Sequence, residues 1–137
     1  MQIIAERIIA YLKSDSTLTG YLGSDSNIMI MGIDRRPKKR VLVSTDVGQD
    51  GNNVPIQFGD IEIQIVVSRD VEDAPSECIK IAQRVGDLLN QSELSLTSGS
   101  WQILNFILRP SPGLQIDGKD NEYWFPLMFD FMLGKTS

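Results

Sequence analysis

Two apolar stretches near the C-terminus constrain the fold most. Across residues 101–109, Gln102, Leu104, Phe106 and Leu108 alternate with Trp101, Ile103, Asn105 and Ile107. Across residues 123–133, Tyr123, Phe125, Leu127, Phe129, Phe131 and Leu133 share one parity. The other parity holds Trp124, Pro126, Met128 and Met132, broken by Asp130. A β-strand turns successive side chains to opposite faces, so a sheet with one wet face reads polar on one parity. Here both parities ask for cover. Part of that cover is expected from another subunit, which points toward assembly rather than chemistry.

A chain of 137 residues fits one domain, 1–137, large enough for a real core. Its 42% hydrophobic and 23% charged residues place it among ordinary globular proteins. No run approaches the roughly 20 apolar residues that span a bilayer, so no membrane partner is expected. Glu6 near the start, with no long apolar stretch behind it, argues against a signal peptide. The single cysteine, Cys78, excludes an internal disulfide and fits a reducing compartment.

The net charge of −5 argues against a general nucleic-acid binder, because phosphate contacts need clustered Lys and Arg. One local exception exists: Arg35, Arg36, Lys38, Lys39 and Arg40 hold five of the thirteen basic residues. Histidine is absent. That excludes a Ser-His-Asp or Cys-His site and any His-bearing zinc site. Paired carboxylates or a lysine remain available as chemistry, but nothing in their spacing gives two of them a shared geometry. Neither an enzyme nor a cofactor is expected.

Periodicity supplies the elements. Ile4, Ile8, Tyr11 and Leu12 make one stripe and predict a helix over residues 3–13. Residues 17–22 add a short turn. Short strands follow at 28–33 and 40–45, with Pro37 making the basic run between them a turn. Residues 46–55 are a polar, glycine-rich connection. The long strand 56–69 alternates Ile61, Ile63, Ile65 and Val67 with polar residues, whereas Ile56 and Phe58 sit on the opposite parity. That phase change predicts a bulge or bend at Gly59–Asp60. A second helix is capped by Asp73 or Asp70, tolerates Pro75 in its first turn and buries Cys78, Ile81, Ala82, Val85, Leu88 and Leu89. Gly86 inside it implies a close helix–sheet contact. Residues 90–100 read as a loop, and the last two strands pair antiparallel around residues 110–121. The sum is an α+β fold: a mostly antiparallel five-stranded sheet with two main helices packed on one face.

Several motifs carry a functional and a plain reading. The six residues from Asp46 (DVGQDG) superficially resemble a calcium loop, but the third position is Gly48 rather than Asp or Asn and the twelfth is Gln57 rather than the bidentate Glu, so a hairpin loop is favoured. Cys78 has no histidine to act as its base and falls on an apolar stripe, so it reads as structural. The basic run can meet an acidic protein partner or DNA, or stay solvated. Trp101, Trp124, Met128 and Met132 have the composition of an interface centre, with Asp130 as an interface ion pair or sheet-edge charge. The plainer reading is that the chain's own helices cover both faces.

The order of elements carries a resemblance. KRVLVS from Lys39, QFGDIEIQIVVS from Gln57, VGDLL from Val85, a strand from Leu104 to Pro110 and a last strand from Glu122 to Leu133 follow an N-terminal helix. This resembles the tail completion proteins (tail terminators, head–tail joining proteins) of long-tailed bacteriophages and prophages. The resemblance covers nearly the whole chain and rests on length, order and strand character. It implies a ring-forming structural protein, typically hexameric, that stops tail-tube polymerisation and meets the head connector. It also implies the host cytoplasm during assembly, and the virion afterwards. On this reading Trp101, Trp124, Met128, Asp130 and Met132 are candidate subunit-interface residues. Arg35, Arg36, Lys38, Lys39, Arg40, Asp46, Asp50 and Asn52 are candidate contacts to the tail tube, the connector or DNA in the lumen. The alternatives are another head-closure or minor tail protein, and a small nucleic-acid-binding α+β module.

Overall fold

The computed structural model describes residues 2–32, 36–44, 48–50, 56–91 and 94–135. Helix α1, Gln2–Lys13, buries Ile4, Ile8 and Leu12 of the predicted stripe together with Ala5 and Ile9, and leaves Tyr11 half-buried. The short helix α2, Ser16–Leu22, starts at Asp15, whose carboxylate accepts the Leu18 N–H at 2.8 Å. It ends at Gly23, where φ of 85° suits a residue without Cβ. Helix α3, Ala74–Leu89, buries Cys78, Ile81, Ala82, Val85 and Leu89. Its cap position falls to Asp73, but the Asp73 side chain makes no capping bond and the backbone there is left-handed, φ 55°. Arg84 of α3 grips the Asp15 carboxylate at 2.7 and 2.9 Å and so ties the α2 cap to the larger helix. The Tyr11 hydroxyl donates to the Leu88 carbonyl at 3.0 Å and joins α1 to α3.

The strands are β1 (Ile28–Ile30), β2 (Lys39–Val43), β3 (Gly48–Asp50), β4 (Ile56–Ser68), β5 (Ser95–Ser98), β6 (Trp101–Leu108), β7 (Gln115–Asp117) and β8 (Glu122–Lys135). They form one eight-stranded sheet, with main path β1-β2-β4-β8-β6-β5 and with β3 on β4 and β7 on β8. The expected five-stranded sheet is therefore too small, and the β1–β2 pair is parallel where the rest is antiparallel. The unexpected strands β3, β5 and β7 are three or four residues long and mostly polar. Long neighbours hold them in place; no alternation of their own marks them. The α-helices among the described residues number three, since α2 is a helix rather than a turn. The sheet curls so that its two outermost strands, β1 and β5, both touch α1.

The longest pairing, β4 with β8, runs in unbroken register from Ile56↔Gly134 to Ser68↔Glu122. No bulge interrupts it at Gly59–Asp60, contrary to the sequence expectation. Phe58 stays on the face opposite Ile61 and is simply left 58% exposed. The bulge lies instead in β6, between Leu104 and Ile107, where Asn105 takes φ 54°. This extra residue puts Phe106 and Leu108 on the same face as Ile103 and turns Ile107 away from it, reversing the grouping that simple alternation gives.

Helices and sheet enclose one apolar cluster. Ile61, Ile63, Ile65, Val67, Leu127, Phe129, Phe131 and Leu133 all belong to it, with Phe106 tilted against Phe131 at 5.7 Å between ring centres.

Candidate interaction surface

The strand register lays out the sheet face turned away from the helices. Successive rows are Arg40–Val66–Trp124–Gln115, Leu42–Gln64–Pro126, Glu62–Met128, Asp60–Asp130–Ile107 and Phe58–Met132–Leu104. At the first end the chain covers itself. Arg40 and Glu122 are both buried and meet in a two-pronged ion pair, Nη1 to Oε2 at 2.7 Å and Nη2 to Oε1 at 3.1 Å. Arg40 Nη1 also reaches the Pro37 carbonyl at 3.2 Å. Beside them Trp124 is half-buried, with its indole N–H sheltered and without a hydrogen-bond partner among the described residues.

The other end is open. Phe58 is 58% and Ile107 61% exposed, and Leu104, Met128 and Met132 are half-buried. Amid these apolar groups lies a small charged network. Arg109 Nε donates to both Asp130 oxygens at 2.9 and 3.0 Å, and its Nη2 donates to Asp60 at 3.1 Å. The Arg109 hydrogen bond holds the Asp130 carboxyl below its usual range.

Of the proposed interface residues, Met128, Asp130 and Met132 lie at this open end; Trp124 is on the same face of the sheet but at the covered end. Trp101 is not on that face. It pairs with Lys135 beside the core pair Ile103–Leu133 and packs against the core on the helix side. Phe58, Ile107 and Arg109 join the open face, and nothing in simple alternation marks them as interface residues. The single-residue shift at Asn105 hid Ile107; asparagine tolerates a left-handed backbone better than most residues, and that was the signal to read.

The basic run is largely spoken for. Arg40 is buried against Glu122, and Lys39 donates to the Tyr21 carbonyl at 3.1 Å and to Glu77 at 3.5 Å. Arg36 lies 3.6 Å from Asp120, and Lys38 is exposed. Lys80 completes the Lys39–Glu77 group at 2.9 Å and sits 4.5 Å above the Tyr21 ring. The Lys80 hydrogen bond lowers the Glu77 carboxyl. Arg35, Asp46 and Asn52 lie outside the described residues, as does most of the loop that superficially resembles a calcium site. Asp50 belongs to β3, opposite Phe58.

Asp117, Asp120 and Glu122 bring carboxylate oxygens within 4.8 Å of one another, but Arg40 and Arg36 already occupy two of the three. Cys78 is buried, with Sγ 3.7 Å from the Ile65 carbonyl, and burial pushes its thiol up to about 12. Such a thiol stays protonated and packs as a small apolar side chain. On the helix side, a cleft of about 580 Å³ opens between α3 and the kinked segment that joins β6 to β7. Leu108, Phe125, Leu127 and Gly86 form its apolar wall, with Asp87, Asn90 and Arg109 among its polar lining.

No family model matches this chain, and no curated protein does. Solved structures do. A chain in the virion of a native gene transfer agent particle superposes with TM-score 0.74 at 14% identity, covering 96% of this chain and 94% of that one. A second solved chain gives TM-score 0.60 at 10% identity, over 98% and 92%. At such identities the likeness establishes a shared fold from end to end.

Proposed function

We propose that this chain is a structural component of a phage-like virion, which completes the tail and joins it to the head as a ring of subunits. The observation that carries the reading is the nearly full-length fold shared with a chain of a gene transfer agent virion. The open sheet face supports it. Apolar side chains half or more exposed beside a polar network are the make-up of an interface that a neighbour completes. Trp124, Met128, Asp130 and Met132, with Phe58 and Ile107, are the proposed subunit contacts, and six copies is the number the family resemblance suggests. The tail tube and head connector are the proposed partners, the loops around the basic run and β3 the proposed points of contact, and the host cytoplasm and then the virion the proposed locations.

The pairing of Arg36, Lys39 and Arg40 with carboxylates weighs against the nucleic-acid-binding alternative, because a paired guanidinium has less to offer a phosphate. The test is complementation of a particle lacking this protein. Met132→Asp, with its fold checked by circular dichroism, should yield unjoined heads and tails under the electron microscope. Normal particles carrying that change would remove the open face from the interface.

A further inference from the structure

We propose that the cleft between α3 and the β6–β7 kink is the socket of a head-to-tail contact between two copies of this chain, and that Phe58 of the next copy is its plug. This rests on the ring reading above and names the two surfaces that meet. The socket has an apolar wall of Leu108, Phe125 and Leu127, and Gly86 contributes no side chain to fill it. At about 580 Å³ it has room for an aromatic ring. The plug is an aromatic left 58% exposed on the outer face of a strand that is paired on both sides. Buried aromatic anchors in pockets are what dominate protein interfaces.

Charge decides between the two ways in which copies can use Phe58. Stacking one open face on another would bring together two surfaces that each carry Asp60, Glu62 and Asp130, with only Arg109 among these groups to offset them. Like charges so juxtaposed are costly. The cleft lining holds a single carboxylate, Asp87, and so sets fewer like charges against an acid-flanked plug. Plug and socket lie on opposite sides of the sheet. The contact is therefore heterologous and closes into a ring when its rotation divides the circle.

The test places p-benzoylphenylalanine at position 58 of the full chain, which keeps an aromatic plug, and irradiates it at concentrations where sedimentation shows oligomers. Intermolecular adducts should map by mass spectrometry to the socket, at Leu108, Phe125, Leu127 or the facing turns of α3. Gln83→Trp, an exposed position beside the cleft, should abolish them in a chain that still folds. Adducts on the open face of the neighbour, or oligomers without socket adducts, overturn the plug-and-socket contact and leave the ring standing. A chain that stays monomeric at every concentration, and forms no rings on tail tubes, overturns both.

Discussion

The two faces of β8 lie on one strand and meet different fates. On the helix side, Leu127, Phe129, Phe131 and Leu133 are at most 3% exposed. On the other side, Trp124, Pro126, Met128, Asp130 and Met132 are all half-buried. Both sets are largely apolar, so hydrophobicity alone did not assign them. Reach did: three helices fill the inside of a curled eight-stranded sheet, and among the described residues its outside receives local cover at one end only. That end is sealed by a buried ion pair and a sheltered indole. The far end keeps Phe58 and Ile107 in water. A sequence states how much cover a strand wants; the helices available decide how much it gets within one subunit.

The sharpest way to break this contrast is to truncate matched residues on the two faces. Phe129→Ala should cost about 3–5 kcal/mol in denaturant unfolding, the usual loss for a phenylalanine deleted from a packed core. Phe58→Ser should change the stability of the isolated chain by less than about 0.5 kcal/mol, as exposed substitutions do. Equal losses at the two sites would mean that the open face is closed in solution. The sealed end is tested by Glu122→Ala, which strands Arg40 in a buried site. Breaking such a pair costs about 3–5 kcal/mol. Arg40→Met combined with Glu122→Leu should recover most of that loss, because the pair contributes through mutual satisfaction rather than net attraction.

The sequence disclosed the contrast unevenly. The two longer helices followed from the 3.6-residue stripes of Ile4, Ile8, Leu12 and of Cys78, Ile81, Val85, and the β6–β8 pairing from its turn-rich connection. The need for cover on both parities of β8 was equally legible. What stayed hidden depends on contacts distant in sequence. Strands β3, β5 and β7 exist because longer strands pair with them. The open rows depend on register, which placed Trp101 away from Trp124 and turned Ile107 outward. The basic run looked like a patch until the fold brought Glu122, Glu77 and Asp120 to it from 82, 38 and 84 positions away in sequence respectively.

Register at Asn105 sets which apolar groups of β6 face out. Asn105→Val asks a β-branched residue to hold φ 54° and should cost roughly 1–2 kcal/mol by thermal or chemical unfolding, the usual penalty for a left-handed backbone. Asn105→Gly should be close to neutral. If valine were equally tolerated, the left-handed residue would not be what fixes the bulge.

Gly86 gives a small effect, and one of opposite sign. It lies inside α3, where glycine is worse than alanine by about 0.5–1 kcal/mol. A Cβ built there meets Leu108 at 3.7 Å, an ordinary contact, so the close approach implied by its place in the helix still leaves room for a methyl group. Gly86→Ala should therefore stabilise the isolated chain by about that amount in an equilibrium unfolding curve. The same methyl narrows the cleft wall, which sets the two properties against each other. A chain that gains stability and loses self-association would mean that glycine is kept there for the neighbour's side chain. A chain that gains both would free the cleft wall from any such demand and leave the open face as the surface to pursue.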